Sequence, residues 1–189
     1  MLFSSDEVNQ ILGLINLNNL EQDRFHFNGV SIDSRTSLPN DLFVAIKGKN
    51  FDGHDFLEEV VNKNIKAVVI SMKFKNLIPN NCAYWAVSDT LDAFHKLVLM
   101  KRKKLDIPVI AITGSVGKTT TKEMMRNVLK SYGQIKTSQK NFNNEIGVGL
   151  TINSCNDEDK VLVLEMGMRG KGQIEALSKC SEPTIAVIT

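Results

Sequence analysis

The spacing of hydrophobic positions differs between the first 105 residues and the rest of the chain. In the first part the apolar runs are short and are separated by polar segments, as in LFVAI (42–46), AVVIS (67–71) and YWAV (84–87). Runs of this length that are rich in β-branched and aromatic residues predict short strands. We therefore predict that residues 1–105 form a small mixed α/β domain.

Apolar positions at helical spacing predict helices in the same region. Ser4 or Ser5 can cap the first of these helices at its N-terminus. Its apolar face is predicted to contain Val8, Ile11, Leu12 and Ile15. A later helix has Leu91, Phe94, Leu97 and Val98 on one face. A third helix is expected through the segment FLEEVVNKN, so helices and strands alternate along this part of the chain.

From residue 107 the apolar runs become nearly continuous. They read IPVIAIT, VLVLEMG and TIAVIT, with helical segments between them. Continuous apolar strands are typical of a parallel sheet that is covered on both faces, and alternation with helices indicates βαβ units. We predict an α/β protein whose residues 106–189 form a parallel-sheet domain.

Composition narrows the possible partners and the cellular compartment. Of the 189 residues, 42% are hydrophobic and 23% are charged, which is typical of a globular domain. The net charge of +2 is too small to indicate a nucleic-acid partner. The basic run KRKK (101–104) is interpreted as the solvated end of a helix. The start, MLFSSDEVNQ, lacks the features of a signal peptide. We therefore predict a cytoplasmic protein without membrane insertion.

The cysteines support the same compartment. Cys82, Cys155 and Cys180 are far apart in the sequence, and none belongs to a CxxC pair. An odd number at such spacings is typical of free thiols and not of a disulfide framework or a zinc site.

The segment AITGSVGKTTTKEM joins an apolar strand to a predicted helix. Gly114 and Gly117 allow the backbone to bend closely around an anion, while the helix start presents unpaired N–H groups. A phosphate is the natural ligand of such a turn. Lys118 can reach the β- and γ-phosphates of a nucleotide, and the Thr119 hydroxyl can ligate Mg²⁺. The full Walker A spacing is absent, because Ile112 stands where it requires glycine.

The same segment resembles the ATP-binding loop of the Mur ligase family. In that family the loop belongs to an ATP-binding domain of the P-loop type. Two later segments, KNFNNEIGVGLT and LEMGMRGKGQI, resemble further motifs of that family in the same order. An earlier segment, DSRTSLPNDLFVAIKGKNFDGHDF, resembles the uridine-diphosphate region shared by its MurE and MurF branches. The NFNNEIG form indicates the MurF branch.

The resemblance implies site residues on both domains. The loop residues expected at the nucleotide, with ATP as cosubstrate, are Gly114, Ser115, Val116, Gly117, Lys118, Thr119 and Thr120. Glu165 is implied as a Mg²⁺ ligand beside Thr119, although a strand-end carboxylate can also be solvated or cap a helix. Asn144 is favoured for nucleotide binding, with Asn141 and Asn143 left open because asparagine also serves turns.

In the first domain, the resemblance places Ser34 and Arg35 near the uridine nucleotide, with a surface salt bridge as the alternative for the arginine. Asp52, Gly53 and His54 complete the expected substrate group. An aspartate in this segment can also simply cap the following helix, and no acid–base chemistry is assigned to His54.

The resemblance implies an ATP-dependent amide ligase with Lys118 and Glu165 as its catalytic residues. Such an enzyme adds D-alanyl-D-alanine to UDP-N-acetylmuramoyl-tripeptide through an acyl phosphate. Further family segments would follow Thr189, so the resemblance implies that the ATP-binding domain of residues 106–189 is incomplete. We therefore expect weak or no turnover from this chain alone and consider a complementing C-terminal fragment as a partner. The alternatives are a MurE-type ligase that adds the third amino acid and a non-catalytic nucleotide-binding fragment.

Overall fold

A computed structural model describes residues 3–18, 20, 24–139, 142–168 and 170–189. Within these residues, no helix is both long enough and apolar enough to cross a membrane. The chain divides by its internal contacts into two compact units, Met1–Leu97 and Val98–Thr189. Since the dividing point lies inside a helix, the predicted domains 1–105 and 106–189 remain a prediction.

The first unit is built on a parallel sheet with the strand order β3-β4-β5-β6. Because all its strand pairs are parallel, the carboxyl ends of these strands lie at one edge. A short antiparallel pair, β1 with β2, precedes the sheet. The elements are β1 (Phe3–Ser4), α1 (Ser5–Leu12), β2 (His26–Phe27), β3 (Gly29–Ser31), β4 (Asp41–Val44), α2 (Leu57–Asn62), β5 (Ala67–Ser71), β6 (Ala83–Val87) and α3 (Thr90–Lys104), with 3₁₀ turns at Gly53–Phe56 and Met72–Leu77.

Local sequence explains where the first helix begins and ends. Ser4 caps α1 and forms a capping box with Glu7, in which each side chain accepts a hydrogen bond from the other residue's backbone N–H. The helix ends at Leu12, because Gly13 adopts a positive φ of 88°. Ile15 was predicted to continue the apolar face, but it lies beyond the end of the helix.

One hydrophobic cluster of the first unit lies between the sheet and α2. This helix buries Leu57, Val60 and Val61, which pack with Phe43 of β4 and Val68 of β5. Full burial of aliphatic side chains of this size stabilises the folded state by roughly 1.5–3 kcal/mol each. The strands predicted from LFVAI, AVVIS and YWAV are present as β4, β5 and β6 of this sheet.

The second unit is also a parallel sheet, with the strand order β10-β7-β9-β8. The elements are β7 (Val109–Thr113), α4 (Lys118–Leu129), β8 (Gln134–Thr137), α5 (Glu145–Asn153), β9 (Asp159–Glu165), α6 (Gln173–Ser181) and β10 (Ile185–Ile188), with a 3₁₀ turn at Lys130–Tyr132. The predicted α/β class with parallel sheets is confirmed.

The apolar runs of β7 and β9 form the centre of this second sheet. Ile110 and Ile112 of β7 pack with Val161 and Val163 of β9 in one cluster, against which Leu129 of α4 is partly buried. This packing fixes α4 on one face of the sheet. The start of α4 is thereby held close to the carboxyl ends of both strands.

The basic run at the end of α3 differs from the expectation of a solvated helix end. Lys101 and Arg102 are buried, while Lys103 and Lys104 are exposed. Burial lowers the pKa of Lys101. The Arg102 guanidinium donates hydrogen bonds to the backbone carbonyl oxygens of Ser181 at 2.8 Å, Glu182 at 3.0 Å and Leu105 at 3.1 Å. It therefore joins the last part of α3, which belongs to the second unit, to the end of α6.

The three cysteines are free, as predicted, and the structure buries all of them. Burial raises the pKa of the Cys82 thiol to about 12 and those of Cys155 and Cys180 to about 11. These thiols are therefore protonated at neutral pH and are poor candidates for nucleophiles.

We expect Arg102→Leu to destabilise the second unit. The substitution leaves three carbonyl groups without their charged donor, and each buried group that loses such a partner costs about 1–3 kcal/mol. The measurement is the free energy of unfolding from urea denaturation. The control is Arg126→Leu, because Arg126 is half exposed and lies 3.5 Å from Glu123 at the surface. A change of equal size in both variants would contradict the role assigned to Arg102.

Candidate functional site

The turn between β7 and α4 has the backbone geometry of an anion-binding loop. Gly117 adopts a φ of 87° and precedes the first helical residue, Lys118. Gly114 adopts a φ of 139°, and a Cβ atom there would collide with the backbone of Thr189. Any other residue at either position would be strained. The Thr189 carbonyl oxygen also accepts a hydrogen bond from the Ser115 N–H at 3.2 Å, which attaches the end of β10 to this loop.

Positive charge is concentrated at this turn. The Lys118 ammonium donates to the Gly114 carbonyl oxygen at 2.8 Å, so the side chain folds back over the loop. The N-terminus of α4 adds the positive end of its dipole at the same place. The other predicted nucleotide contacts, Ser115, Val116 and Thr120, are exposed around the loop. Together these groups form a surface suited to a polyphosphate.

Two predicted metal ligands, which are distant in sequence, are in contact here. The Thr119 hydroxyl donates to Glu165 Oε2 at 2.8 Å. The contact arises because β7 and β9 are adjacent and parallel, with Ile112 paired to Glu165, so that both strands end at the same edge. Glu165 is only 8% exposed, which makes its carboxylate a strong local source of negative charge.

This pair fits a magnesium ion that also binds phosphate. Among the described residues no group of three or more histidine, cysteine, aspartate or glutamate side chains could hold a metal ion alone. Mg²⁺ commonly takes only one or two protein oxygens and completes its shell with phosphate oxygens and water. The hydroxyl of Thr119 and the carboxylate of Glu165 are ligands of that kind, placed directly beside the phosphate-type loop.

The asparagine-rich segment presents two residues with different contacts. Asn143 Nδ2 donates to Glu165 Oε1 at 3.3 Å. Asn144 caps α5, because its Oδ1 accepts the Gly147 N–H at 2.8 Å. The favoured nucleotide contact, Asn144, therefore has its side-chain oxygen occupied by a helix cap, and its assignment stays a prediction. Asn141 lies outside the described residues.

In the first unit, the segment after β3 carries Ser34 and Arg35. The Ser34 hydroxyl is buried and donates to Glu59 Oε2 at 3.1 Å, and its carbonyl oxygen accepts the Lys63 ammonium at 2.6 Å. The Arg35 side chain is 82% exposed and makes a bidentate pair with Asp33. The hydrogen bond from Arg35 holds the pKa of Asp33 below its ordinary value, so the pair stays charged.

The segment after β4 begins at the same sheet edge as the segment after β3, because these two strands are parallel neighbours. Gly53 is buried against the backbone of Ala45 and Ile46. His54 is also buried: its Nδ1 hydrogen-bonds Asp52, and its Nε2 accepts the Ser71 N–H at 3.0 Å. Both ring nitrogens therefore have partners within the fold.

The pairing with His54 affects the pKa of the Asp52 carboxyl. Burial by itself would raise the pKa of the Asp52 carboxyl, but hydrogen bonds from His54 and the charge of Lys47 hold it below the ordinary value. Asp52 also accepts the His54 N–H and thereby caps the 3₁₀ turn that follows. These contacts are those of a rigid support for the loop. Direct substrate contact by Asp52, Gly53 and His54 stays a prediction.

Comparison with known proteins assigns the chain to a family. The model of the "Mur ligase family, catalytic domain" matches residues 26–113, and that of the "Mur ligase middle domain" matches residues 112–189. The chain belongs to the Mur ligase family. The resemblance seen in the sequence motifs is confirmed.

Individual Mur ligases narrow the similarity to one branch. The UDP-N-acetylmuramoyl-tripeptide–D-alanyl-D-alanine ligase of a Synechocystis species is 38% identical over 176 residues, covering 93% of this chain and 38% of that protein. A MurF structure from Acinetobacter baumannii matches with a TM-score of 0.83 and 30% identity, covering 97% of this chain and 39% of the other. The chain thus spans about two fifths of the length of the relatives it matches.

A further solved relative was crystallised with a nucleotide. MurF from Thermotoga maritima, in complex with ADP, is 34% identical and matches with a TM-score of 0.74 over 85% of this chain and 36% of the other. The similarity covers most of both units described here. It makes a nucleotide the appropriate first ligand for binding experiments.

Some contacts of these candidate sites were not predicted. Glu59 of α2 holds the Ser34 side chain, and Lys63, just past the end of α2, holds its backbone. The only sequence signal for this pair is its i, i+4 spacing, which also occurs in ordinary surface pairs. Asn143 was named only as one of three alternatives. Its contact with Glu165 depends on how the segment before α5 approaches β9, which the sequence does not reveal.

The two asparagines should respond differently to substitution. We expect Asn144→Ala to lower the free energy of unfolding by about 1 kcal/mol, because a helix cap is lost. Asn143→Ala should weaken binding of ADP in the presence of Mg²⁺ more than Asn144→Ala does, because Asn143 is the partner of Glu165. Urea denaturation and isothermal titration calorimetry measure the two effects. The reverse pattern would show that Asn144, and not Asn143, serves the nucleotide.

Proposed function

We propose that the chain provides the nucleotide-binding and UDP-substrate-binding parts of an ATP-dependent amide ligase. The reaction joins D-alanyl-D-alanine to UDP-N-acetylmuramoyl-tripeptide. The observation that carries this proposal is the contact of Thr119 with Glu165 beside the loop from Gly114 to Gly117, in a chain whose relatives are named for that reaction. Neither a loop nor a carboxylate alone would support it.

On the nucleotide side, the loop amides and the Lys118 ammonium bind the β- and γ-phosphates of ATP. Thr119 and Glu165 are the residues that would hold Mg²⁺. When bound, this ion neutralises part of the negative charge that builds up on the phosphate oxygens. Lys118 acts in the same direction, and it must leave the Gly114 carbonyl to reach the phosphates.

The chemistry requires activation of a carboxylate. The free carboxylate of the tripeptide is a poor electrophile, because its negative charge is delocalised and repels nucleophiles. Its oxygen attacks the γ-phosphorus of ATP, the bond to the bridging oxygen breaks, and ADP leaves, which produces an acyl phosphate. The amine of D-alanyl-D-alanine then attacks the acyl carbon and loses a proton, and inorganic phosphate leaves with the formation of the amide.

On the substrate side, Arg35 binds the UDP portion of the precursor, and the buried Ser34 is held beside it by Glu59 and Lys63. Direct contact of Ser34 with the nucleotide stays a prediction. Arg35 is exposed and its fork of donors suits a diphosphate. Its bidentate pair with Asp33 holds the guanidinium at the sheet edge and reduces the side-chain entropy lost when a ligand binds. Asp52 and His54 keep the adjoining loop in place. Holding the long precursor at one end restricts the positions open to its peptide carboxylate.

The nucleotide site is tested with Lys118→Ala. We expect the affinity for ADP with Mg²⁺ to fall by about tenfold or more, because each charged hydrogen bond contributes roughly 1.5–3 kcal/mol. Isothermal titration calorimetry gives the dissociation constants. The control is Lys130→Ala, which removes an exposed lysine just past the far end of α4. Equal affinities in wild type and Lys118→Ala would exclude the loop as the nucleotide site.

The substrate site is tested with Arg35→Ala. We expect weaker binding of UDP-N-acetylmuramoyl-tripeptide by about tenfold, from loss of a bidentate charged contact. Lys75→Ala, an exposed substitution in the same unit, serves as the control.

A second titration distinguishes a MurF-type from a MurE-type ligase. It uses the corresponding dipeptide precursor, which a MurE-type ligase would prefer over the tripeptide form. Preference for the dipeptide would contradict the proposed substrate.

A further inference from the structure

A buried lysine lies one turn beyond the phosphate-type loop. Lys122 of α4 is only 3% exposed. Its ammonium donates to the Ser138 carbonyl oxygen at 3.0 Å and lies 3.9 Å from Glu165 Oε2. Glu123, which is half exposed, approaches it to 3.3 Å. Lys122 cannot reach the loop's exposed face in this arrangement, so it has a place distinct from that of Lys118.

Ser138 extends this contact to the backbone of Glu165. The Ser138 hydroxyl accepts the Glu165 N–H at 3.1 Å, and its own N–H donates to the Val163 carbonyl oxygen at 3.1 Å. Ser138 itself is buried. Lys122 therefore connects three elements at one point: α4, the end of β8 and the end of β9.

We propose that Lys122 is a positioning residue that sets the distance between the Thr119 hydroxyl and the Glu165 carboxylate, and thereby the magnesium affinity of the nucleotide site. The inference rests on the proposed function. Thr119 and Lys122 are on the same helix, and Lys122 binds the strand end that holds the backbone of Glu165. A shift of α4 relative to β9 would separate the two candidate ligands.

The charge of Lys122 argues for this positional role. A cation 3.9 Å from a metal-ligand oxygen repels the metal, and an ammonium group is costly to bury. Both effects would favour a neutral residue if only packing mattered. The hydrogen bond to Ser138 and the ion pair with Glu165 instead fix α4 against both strand ends. Contacts that orient a ligand in this way commonly affect metal affinity by about 10–100-fold.

The experiment compares ADP binding with and without Mg²⁺ by isothermal titration calorimetry. The measured quantity is the dissociation constant of ADP without Mg²⁺ divided by the dissociation constant with Mg²⁺. This ratio reports how much the ion strengthens ADP binding. In Lys122→Met, we expect this ratio to fall about tenfold or more while metal-free ADP binding stays within about twofold of wild type. Lys122→Gln, which is also neutral, is measured in parallel. The melting temperature of each nucleotide-free protein is recorded.

Two control variants separate position from other effects. Glu123→Gln alters a neighbour of Lys122 that does not hold Glu165, and Lys179→Met removes an exposed lysine paired with Glu175 in α6. Both should keep the wild-type ratio. In Lys122→Arg, which retains the charge and the donors, the ratio should be closer to that of wild type than in Lys122→Met.

The possible outcomes are distinct. If wild type shows no gain in ADP affinity from Mg²⁺, the proposed function fails. If wild type shows that gain and Lys122→Met keeps or increases it, the positioning role is wrong. An equal loss of affinity with and without Mg²⁺, or the failure of both neutral variants to fold, would make Lys122 a purely structural residue and would also overturn the proposal.

Discussion

The parallel pairing of β7 with β9 is the constraint on which the nucleotide site depends. It places Thr113 and Glu165, which come from separate parts of the chain, at the same edge of the sheet. The loop after β7 and the carboxylate at the end of β9 consequently meet at the start of α4. Each feature alone is ordinary. Their contact forms a site in which the loop and Lys118 suit a phosphate, while Thr119 and Glu165 suit a cation.

Buried polar groups hold this geometry in place. Glu165 has partners on both oxygens, from Thr119 and Asn143, and Ser138 binds its backbone N–H. By the same principle, Arg102 satisfies the carbonyl groups of Ser181 and Glu182 at the end of α6 and that of Leu105 just past α3. Because an unpartnered buried polar group is costly, each of these networks strongly disfavours alternative arrangements of the elements that it joins.

The first unit uses the same plan with different chemistry. Its parallel strands also bring two loops to one edge, but the groups there are Arg35 with Asp33 and the Asp52–His54 pair. His54 links its loop to the end of β5 through Ser71. The exposed Arg35 is thus carried on a rigid base. A large ligand can be oriented from such a base at little further cost in loop entropy.

Local sequence determined a large part of this protein. Continuous apolar runs predicted β5, β7 and β9, because strands covered on both faces must be apolar throughout. The run TIAVIT likewise predicted β10, although most of that strand is exposed. Glycine at Gly114 and Gly117 beside Lys118 identified the loop, since positive φ angles and a nearby charge are local properties. The family motifs then indicated the kind of site. By contrast β8, with the sequence QIKT, has no apolar run and was missed.

Only the tertiary structure decided which side chains meet. That Lys101 and Arg102 are buried, that Asn143 rather than Asn144 faces Glu165, and that His54 has both nitrogens engaged depends on neighbours from distant segments. The sequence specifies which groups are available and where the chain turns. Burial and partnership are properties of packed surfaces, so they are decided when strands and helices from separate parts of the chain come together.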